Sequence, residues 1–238
     1  MKKILILGLL SLMFYAPSFA GRYAGDFMMI GSGVRALGMG GAFSALADDG
    51  SAIYWNSGGL SQMRDSEVQV MHAFLYGNLA SYDFISYVQP LPNDVSIAFN
   101  VTRLNVSDIP YFSEKYLVGT NVDQRIHNLD LHLPGIPDGH FRSTDDLYQF
   151  AFSKNIKFGA NMGWQFFEIP FELGLGGNVK FIQRKLRENL GSGTGFDLGI
   201  KLRTDMSVLF DEDSLGDLHV GFNFQDVAGT TISWDTNS

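Results

Sequence analysis

Between Phe171 and Gln225 the chain alternates between apolar and polar residues. Phe171, Leu173, Leu175, Val179 and Phe181 take the odd positions, with Glu172, Gly174, Gly176, Asn178 and Lys180 between them. The pattern returns with Phe196, Leu198, Ile200 and Leu202 against Asp197, Gly199, Lys201 and Arg203. It returns again with Leu218, Val220, Phe222 and Phe224 against His219, Gly221, Asn223 and Gln225. A period of two is the signature of a strand with one apolar and one polar face. Three strands are therefore expected, over 170–186, 194–204 and 218–225.

A β-sandwich turns such an apolar face inward, whereas a transmembrane barrel turns it outward to lipid and its polar face to a lumen. Periodicity does not separate them, but length does. A spanning strand needs about 9–11 residues, which 170–186 and 194–204 supply, and sandwich strands are nearer about 5–6. The barrel is the favoured reading.

Upstream, 67–76 and 81–89 form a hairpin across Gly77-Asn78, and Pro90-Leu91-Pro92-Asn93 is a tight turn. A strand follows over 94–106, with Val95, Ile97, Phe99 and Val101 on one face. The pattern then stops, and 107–146 reads as a long loop of the kind that is functional or disordered. It resumes over 147–154. Turns are expected near 155–169, at 189–193 and over 205–216. If the first strand runs outward, the long loop is extracellular and the turn at 90–93 periplasmic, as these barrels require. About seven strands result, with 231–234 starting another. Bacterial barrels have an even number, at least about 8, and an open edge is not stable in lipid. The fold expected is all-β: an antiparallel transmembrane β-barrel, C-terminally incomplete, formed by 65–238.

Composition narrows the class. The formal net charge is −8, which argues against a nucleic-acid partner. No cysteine is present, so neither a disulfide framework nor a Cys-ligated zinc arises. Residues 1–20 read as a signal peptide: Lys2 and Lys3 lead an apolar run, and Ser18-Phe19-Ala20 supplies the small residues for cleavage. Export followed by strand insertion predicts location in a bacterial outer membrane, with lipid as one partner.

Residues 21–64 read as a small plug containing short helices. Glycines crowd 31–60, without the spacing of a dinucleotide or phosphate loop. They suit tight turns and close backbone packing. Ala42 to Ala47 suggests one or two helical turns, Ser51 a cap for a second helix, and Asn56 or Ser57 a cap for a third.

The signature Gly31-x-Gly33-x-Arg35-Ala-Leu-Gly38-Met39-Gly40-Gly41-Ala-Phe, then Asp48-Asp49, then Tyr-Trp55-Asn56-x-x-Gly-Leu60 resembles the N-terminal signature of the PorV/PorQ family of outer-membrane barrels. More distantly it is similar to the FadL-type long-chain fatty-acid transporters. The resemblance covers 31–72 and returns over 171–234. Ser57 stands where the family's Asn-Pro-Ala-Gly-Leu has proline, which removes a fixed first helical residue. The resemblance implies a longer, FadL-like barrel. It also implies one of two roles: receiving secreted protein cargo in type IX secretion, or passing a hydrophobic small molecule across the outer membrane.

Candidate contacts for either partner are the loop aromatics Tyr111, Phe112, Tyr116 and Phe141. Glu172, Lys180, Asp197, Lys201 and Arg203, with Arg184, are expected to face the lumen, where opposite charges pair across strands and brace the wall. Small residues at Gly174, Gly176 and Gly199 leave room there for an inserted segment. No catalytic residue is assigned: the chain lacks a Gly-x-Ser-x-Gly elbow, and His72 and His219 read as lumenal packing residues. His127, His132 and His140 share an acidic loop with Asp123, Asp130 and Asp138, at no standard metal spacing. Asp48-Asp49-Gly50 falls short of a calcium loop. Neither cofactor nor metal is expected.

Overall fold

The computed structural model describes residues 25–113, 121, 123–124, 136–161, 168–210, 214 and 216–235. They form mainly one antiparallel sheet, curled into a half-barrel. Seven strands succeed one another as a meander: β1 Glu67–Leu75, β2 Ala80–Leu91, β3 Val95–Tyr111, β4 Gly139–Asn161, β5 Glu168–Leu186, β6 Asn189–Asp205 and β7 Asp217–Phe224. A short β8, Ser233–Asp235, pairs with β6. Helices are brief: α1 Val34–Gly38, α2 Ala52–Trp55 and α3 Met206–Phe210, with 3₁₀ turns at Asp26–Ile30 and Ser57–Gln62. Among the described residues no helix is long and apolar enough to cross a membrane, which says nothing about strands.

One face of the sheet, here called inner, is covered by segment 25–64. Two apolar clusters join them. Ala36, Phe43, Ala47, Ala52, Ile53 and Leu60 pack on Val88, Ala98 and Ala151. Phe27 packs with Met71, Tyr82, Phe84, Leu147 and Ile182. Around these clusters the inner face is polar yet buried: Asn100, Gln149, Asn178, Lys180, Asp197 and Lys201 are each at most 5% exposed. The outer face inverts this. Phe150, Phe152 and Leu198 are 54%, 57% and 50% exposed.

Ladder register lines the outer residues up in rows. Val68, Tyr87, Phe99, Phe150, Val179 and Phe196 form one row across β1–β6, and Val70, Ile85, Val101, Tyr148, Phe181 and Thr194 the next. Immediately beyond runs a polar row: His72, Asp83, Arg103, Asp146, Gln183 and Ser192. Its members pair, His72 with Asp83 at 2.5 Å and Arg103 with Asp146 at 2.6 Å. His72 therefore faces outward, not into a lumen: on β1 the inner positions are odd-numbered, and His72 falls among Val68, Val70 and Phe74.

Several strand limits differ from those the periodicity predicts. The expected loop 107–146 is strand at both ends, since Ile109, Pro110 and Tyr111 pair with Phe141, His140 and Gly139. A register shift between Val106 and Ile109 breaks the alternation there, with Asp108 at φ +63. Strands also continue past the apolar rows, where both faces are polar. Hydrogen bonding goes on although the hydrophobic signal has ended. For this reason the strand expected over 147–154 begins at Gly139; at its other end Ile156 and Phe158 continue the outward apolar alternation, so it runs to Asn161 and much of the turn expected over 155–169 is strand.

The loop expected at 189–193 belongs to β6, and the β5–β6 turn is Arg187-Glu188. Pro90 and Leu91 belong to β2, leaving Pro92-Asn93-Asp94 as the turn, with positive φ at Asn93 and Asp94. The strand expected at 231–234 does not follow β7 in the meander. β8 resumes β7's pairing with β6 after an excursion over 225–232. Residues 42–47 form hydrogen-bonded turns, not a helix. The signal peptide expected over 1–20 lies outside the described residues.

Candidate functional site

Segment 25–64 is held by its own polar groups before it touches the sheet. Arg35 makes a two-pronged bond to Asp48, at 2.5 and 3.3 Å, and its guanidinium lies 5.3 Å from the centre of the Phe43 ring. The Asp48 carboxylate holds the arginine's pKa above its ordinary value. Asp49 accepts from the Ser51 backbone N–H and hydroxyl, so Ser51 is the residue before α2 without capping it by side chain. Trp55 Nε1 donates to the Ser32 carbonyl at 2.6 Å. The indole lies against Gly31 and Gly41, both at positive φ; a β-carbon at either would press on the ring. Gly33 also has positive φ, while Gly38, Met39 and Gly40 form the turn that ends α1.

Asn56 fastens this segment to the wall. Its Nδ2 donates to the carbonyls of Ser44 and Ile200, at 2.7 and 2.9 Å, while its Oδ1 accepts from Gly58 N–H. The 3₁₀ turn Ser57–Gln62 forms without a proline because Asn56 caps it. Its backbone presses on the inner-face glycines: a β-carbon on Gly176 would collide with Ser57, and one on Gly58 with the Gly174 and Gly199 carbonyls. Asn178 donates to Ile53 O, and Lys201 Nζ to Leu46 O and Ala47 O.

No family model matches the chain, nor does any curated protein or solved structure. The site is therefore read from its own geometry. All five charged residues assigned to the lumen lie on the inner face, but in two groups. At one end of the strands Glu172 is opposite Arg203, at 3.6 Å, and Arg203 also binds Asp217. Towards the other end Lys180 bridges Asp197 at 2.7 Å and Asp226 at 2.8 Å, with Lys180 and Asp197 2% and 3% exposed. Burying charges is costly unless they are paired and hydrogen-bonded. Here Asp197 also accepts from the backbone N–H of Asp226. Arg184 adds a two-pronged pair with Asp145, directly opposite it on β4.

Beside the lysine is a cavity of about 290 Å³, lined by Gly25, Met28, Met29, Tyr54, Gln149, Lys180, Asp197, Gln225 and Asp226. Burial pushes the Tyr54 phenol's pKa upward, so it stays neutral. Gln149 and Asp226 escape a reading of the sequence for different reasons. Gln149 has a signal, its place opposite Lys180 in the β4–β5 ladder. Asp226 has none, because only the excursion after β7 carries it back to Lys180.

Of the four candidate contact aromatics, three fall among the described residues. Tyr111 and Phe141 are strand residues, and Tyr111 lies under the Arg187 guanidinium at 4.2 Å. Phe112 follows β3 and is half exposed. Tyr116 lies outside the described residues, as do His127, His132 and Asp130. Among the described residues no group of three or more His, Cys, Asp or Glu is placed to hold a metal.

Proposed function

We propose that this chain is the wall and plug of an outer-membrane β-barrel of the PorV/PorQ type, which receives secreted protein cargo at the membrane surface. One observation carries the reading: burial is inverted, with Lys180, Asp197 and Lys201 enclosed and Phe150, Phe152 and Leu198 exposed. Water penalises this arrangement, and lipid around a packed lumen favours it. The dimensions agree. From Phe171 to Phe181 the outer positions of β5 cover about 33 Å at about 3.3 Å per residue. That is about 25 Å of bilayer for a strand tilted by about 40°. The polar row His72–Ser192 bounds this band on one side. Closure is part of the proposal, since the edge strands β1 and β7 need partners in lipid.

The choice of cargo over a small apolar molecule rests on the inner face. It offers a hydrophobic ligand amides and charges, and segment 25–64 fills it at backbone contact distance. The second reading, transport of a hydrophobic small molecule, is favoured by a different feature. Where β7 gives way to β8, Tyr148, Phe181 and Ile182 line a groove of about 560 Å³ together with Gln183, Ser192, Thr194, Thr231 and Ser233.

The test is to express the full reading frame with its leader and wash the membranes with urea. Unheated and heated samples are then compared by gel mobility. The expected result is a urea-resistant outer-membrane band that shifts on heating. Cross-linking should then capture a secreted protein, whereas a co-purified lipid and no protein would favour transport. A soluble periplasmic band would reject both readings.

A further inference from the structure

At its β6 end the second outer row turns from apolar to hydroxyl. Register fixes the plan of the groove that opens there. Tyr148, Phe181 and Thr194 lie side by side across β4, β5 and β6, and Gln183 and Ser192 lie in the polar row beyond. Ser233 stands opposite Ser192 on β8, and Thr231 precedes it by two residues. Glycines on β6 let this segment approach: a β-carbon on Gly191 would strike Ile232 and Trp234, and one on Gly193 the Thr231 carbonyl. Two aromatic rings, four hydroxyls and an amide thus share about 560 Å³, within the range of roughly 300–1,000 Å³ usual for a small-molecule site. Among the described residues no charged side chain lines the groove, and none hydrogen-bonds to the side chains of Gln183, Ser192, Thr194, Thr231 or Ser233. Against lipid, hydroxyl groups left without partners cost free energy. A furrow also leads from the groove into the apolar band. Gly177 is the outer position next to Val179 on β5, and its register neighbours, Phe152 on β4 and Leu198 on β6, are large and exposed.

We infer that this groove seats the neutral sugar headgroup of a membrane lipid, whose acyl chain lies in the furrow at Gly177. A sugar ring has an apolar C–H face, which suits the rings of Tyr148 and Phe181. It also has a rim of hydroxyls, each both donor and acceptor, which suits the Ser, Thr and Gln side chains. A charged headgroup would find no opposite charge in the lining. The level fits as well: the groove straddles the last apolar row and the polar row, where a lipid's head meets its chains. The inference rests on the reading of the outer face as lipid-facing, and it gives the groove to a component of the membrane itself.

The test uses the full chain purified in a polyoxyethylene detergent, with its barrel checked by the heat-dependent gel shift. Native mass spectrometry then follows retention of n-dodecyl-β-D-maltoside. One maltoside is expected to stay bound, and dodecylphosphocholine, which has the same tail, to bind about tenfold more weakly. Thr194→Val combined with Ser192→Ala should weaken maltoside by about tenfold or more, as the loss of two neutral hydrogen bonds does. Thr144→Val, on the outer face one row beyond the polar row, should leave it unchanged. Equal retention of dodecylphosphocholine, a double variant that holds maltoside as tightly as the unaltered protein, or no retained maltoside would each overturn the inference while a gel shift leaves the barrel standing. Free maltose binding as tightly as the maltoside would overturn the lipid source and give the groove to a soluble oligosaccharide. A chain that shows no gel shift would overturn the lipid-facing reading and this inference together.

Discussion

Gly176 and Gly177 are neighbours on β5 with opposite surroundings. A β-carbon on Gly176 would strike the Ser57 backbone, while one on Gly177 would meet the Leu198 side chain at an ordinary 3.4 Å. Gly176→Ala is therefore expected to destabilise the protein by about 1–3 kcal/mol, as overpacking does, and Gly177→Ala to be close to neutral. Denaturant midpoints of the two variants give the comparison. Tyr54 sets a second expectation at this scale. Its folded pKa is raised above the unfolded value of about 10 by burial. The stability it contributes is thus present in full below about pH 10 and is lost as pH rises beyond that. Melting temperatures followed upward from pH 9 should fall less steeply for Tyr54→Phe than for the unaltered protein.

At the scale of elements, strands were legible through most stretches where the two faces differ, with 155–159 the exception. Phe171–Phe181 and Phe196–Leu202 announce β5 and β6 because apolar and polar residues alternate there. The far ends were not, since at Gly-His-Phe-Arg-Ser-Thr-Asp-Asp, 139–146, polar residues occupy both faces of β4 and nothing alternates. Of the candidate site, the inner charges could be read from their parity on β5 and β6. The grouping of Lys180 with Asp226 could not, because it depends on an excursion that returns the chain to a strand it had already left. The outer rows carry the matching prediction. Leu198→Arg is expected to cost about 2–4 kcal/mol in a lipid-embedded wall, and Asn105→Arg, one row beyond the polar row, about 0–1. Unfolding from vesicles measures both, and equal tolerance would sink the assignment of the outer face to lipid.

For the whole molecule, the apolar rows, the polar row beyond them and the filled inner face describe one wall with a fixed thickness. Reconstituted into bilayers of graded acyl length, the protein should be most heat-stable where the hydrocarbon is about 25 Å thick, and less so in thicker and thinner membranes. A flat dependence on acyl length would argue that the outer face meets something other than lipid. The bond from Asn56 to the Ile200 carbonyl spans 144 residues, and it sets an order of events. A chain synthesised from its N-terminus makes segment 25–64 first, yet the surface that segment docks on does not exist until β4, β5 and β6 have paired. Contacts of such sequence separation form slowly, because the intervening chain must be ordered before they are rewarded. Segment 25–64, made before the strands it docks on, is thus late to settle, and until then its glycines and Trp55 stay exposed to any chaperone that meets the chain.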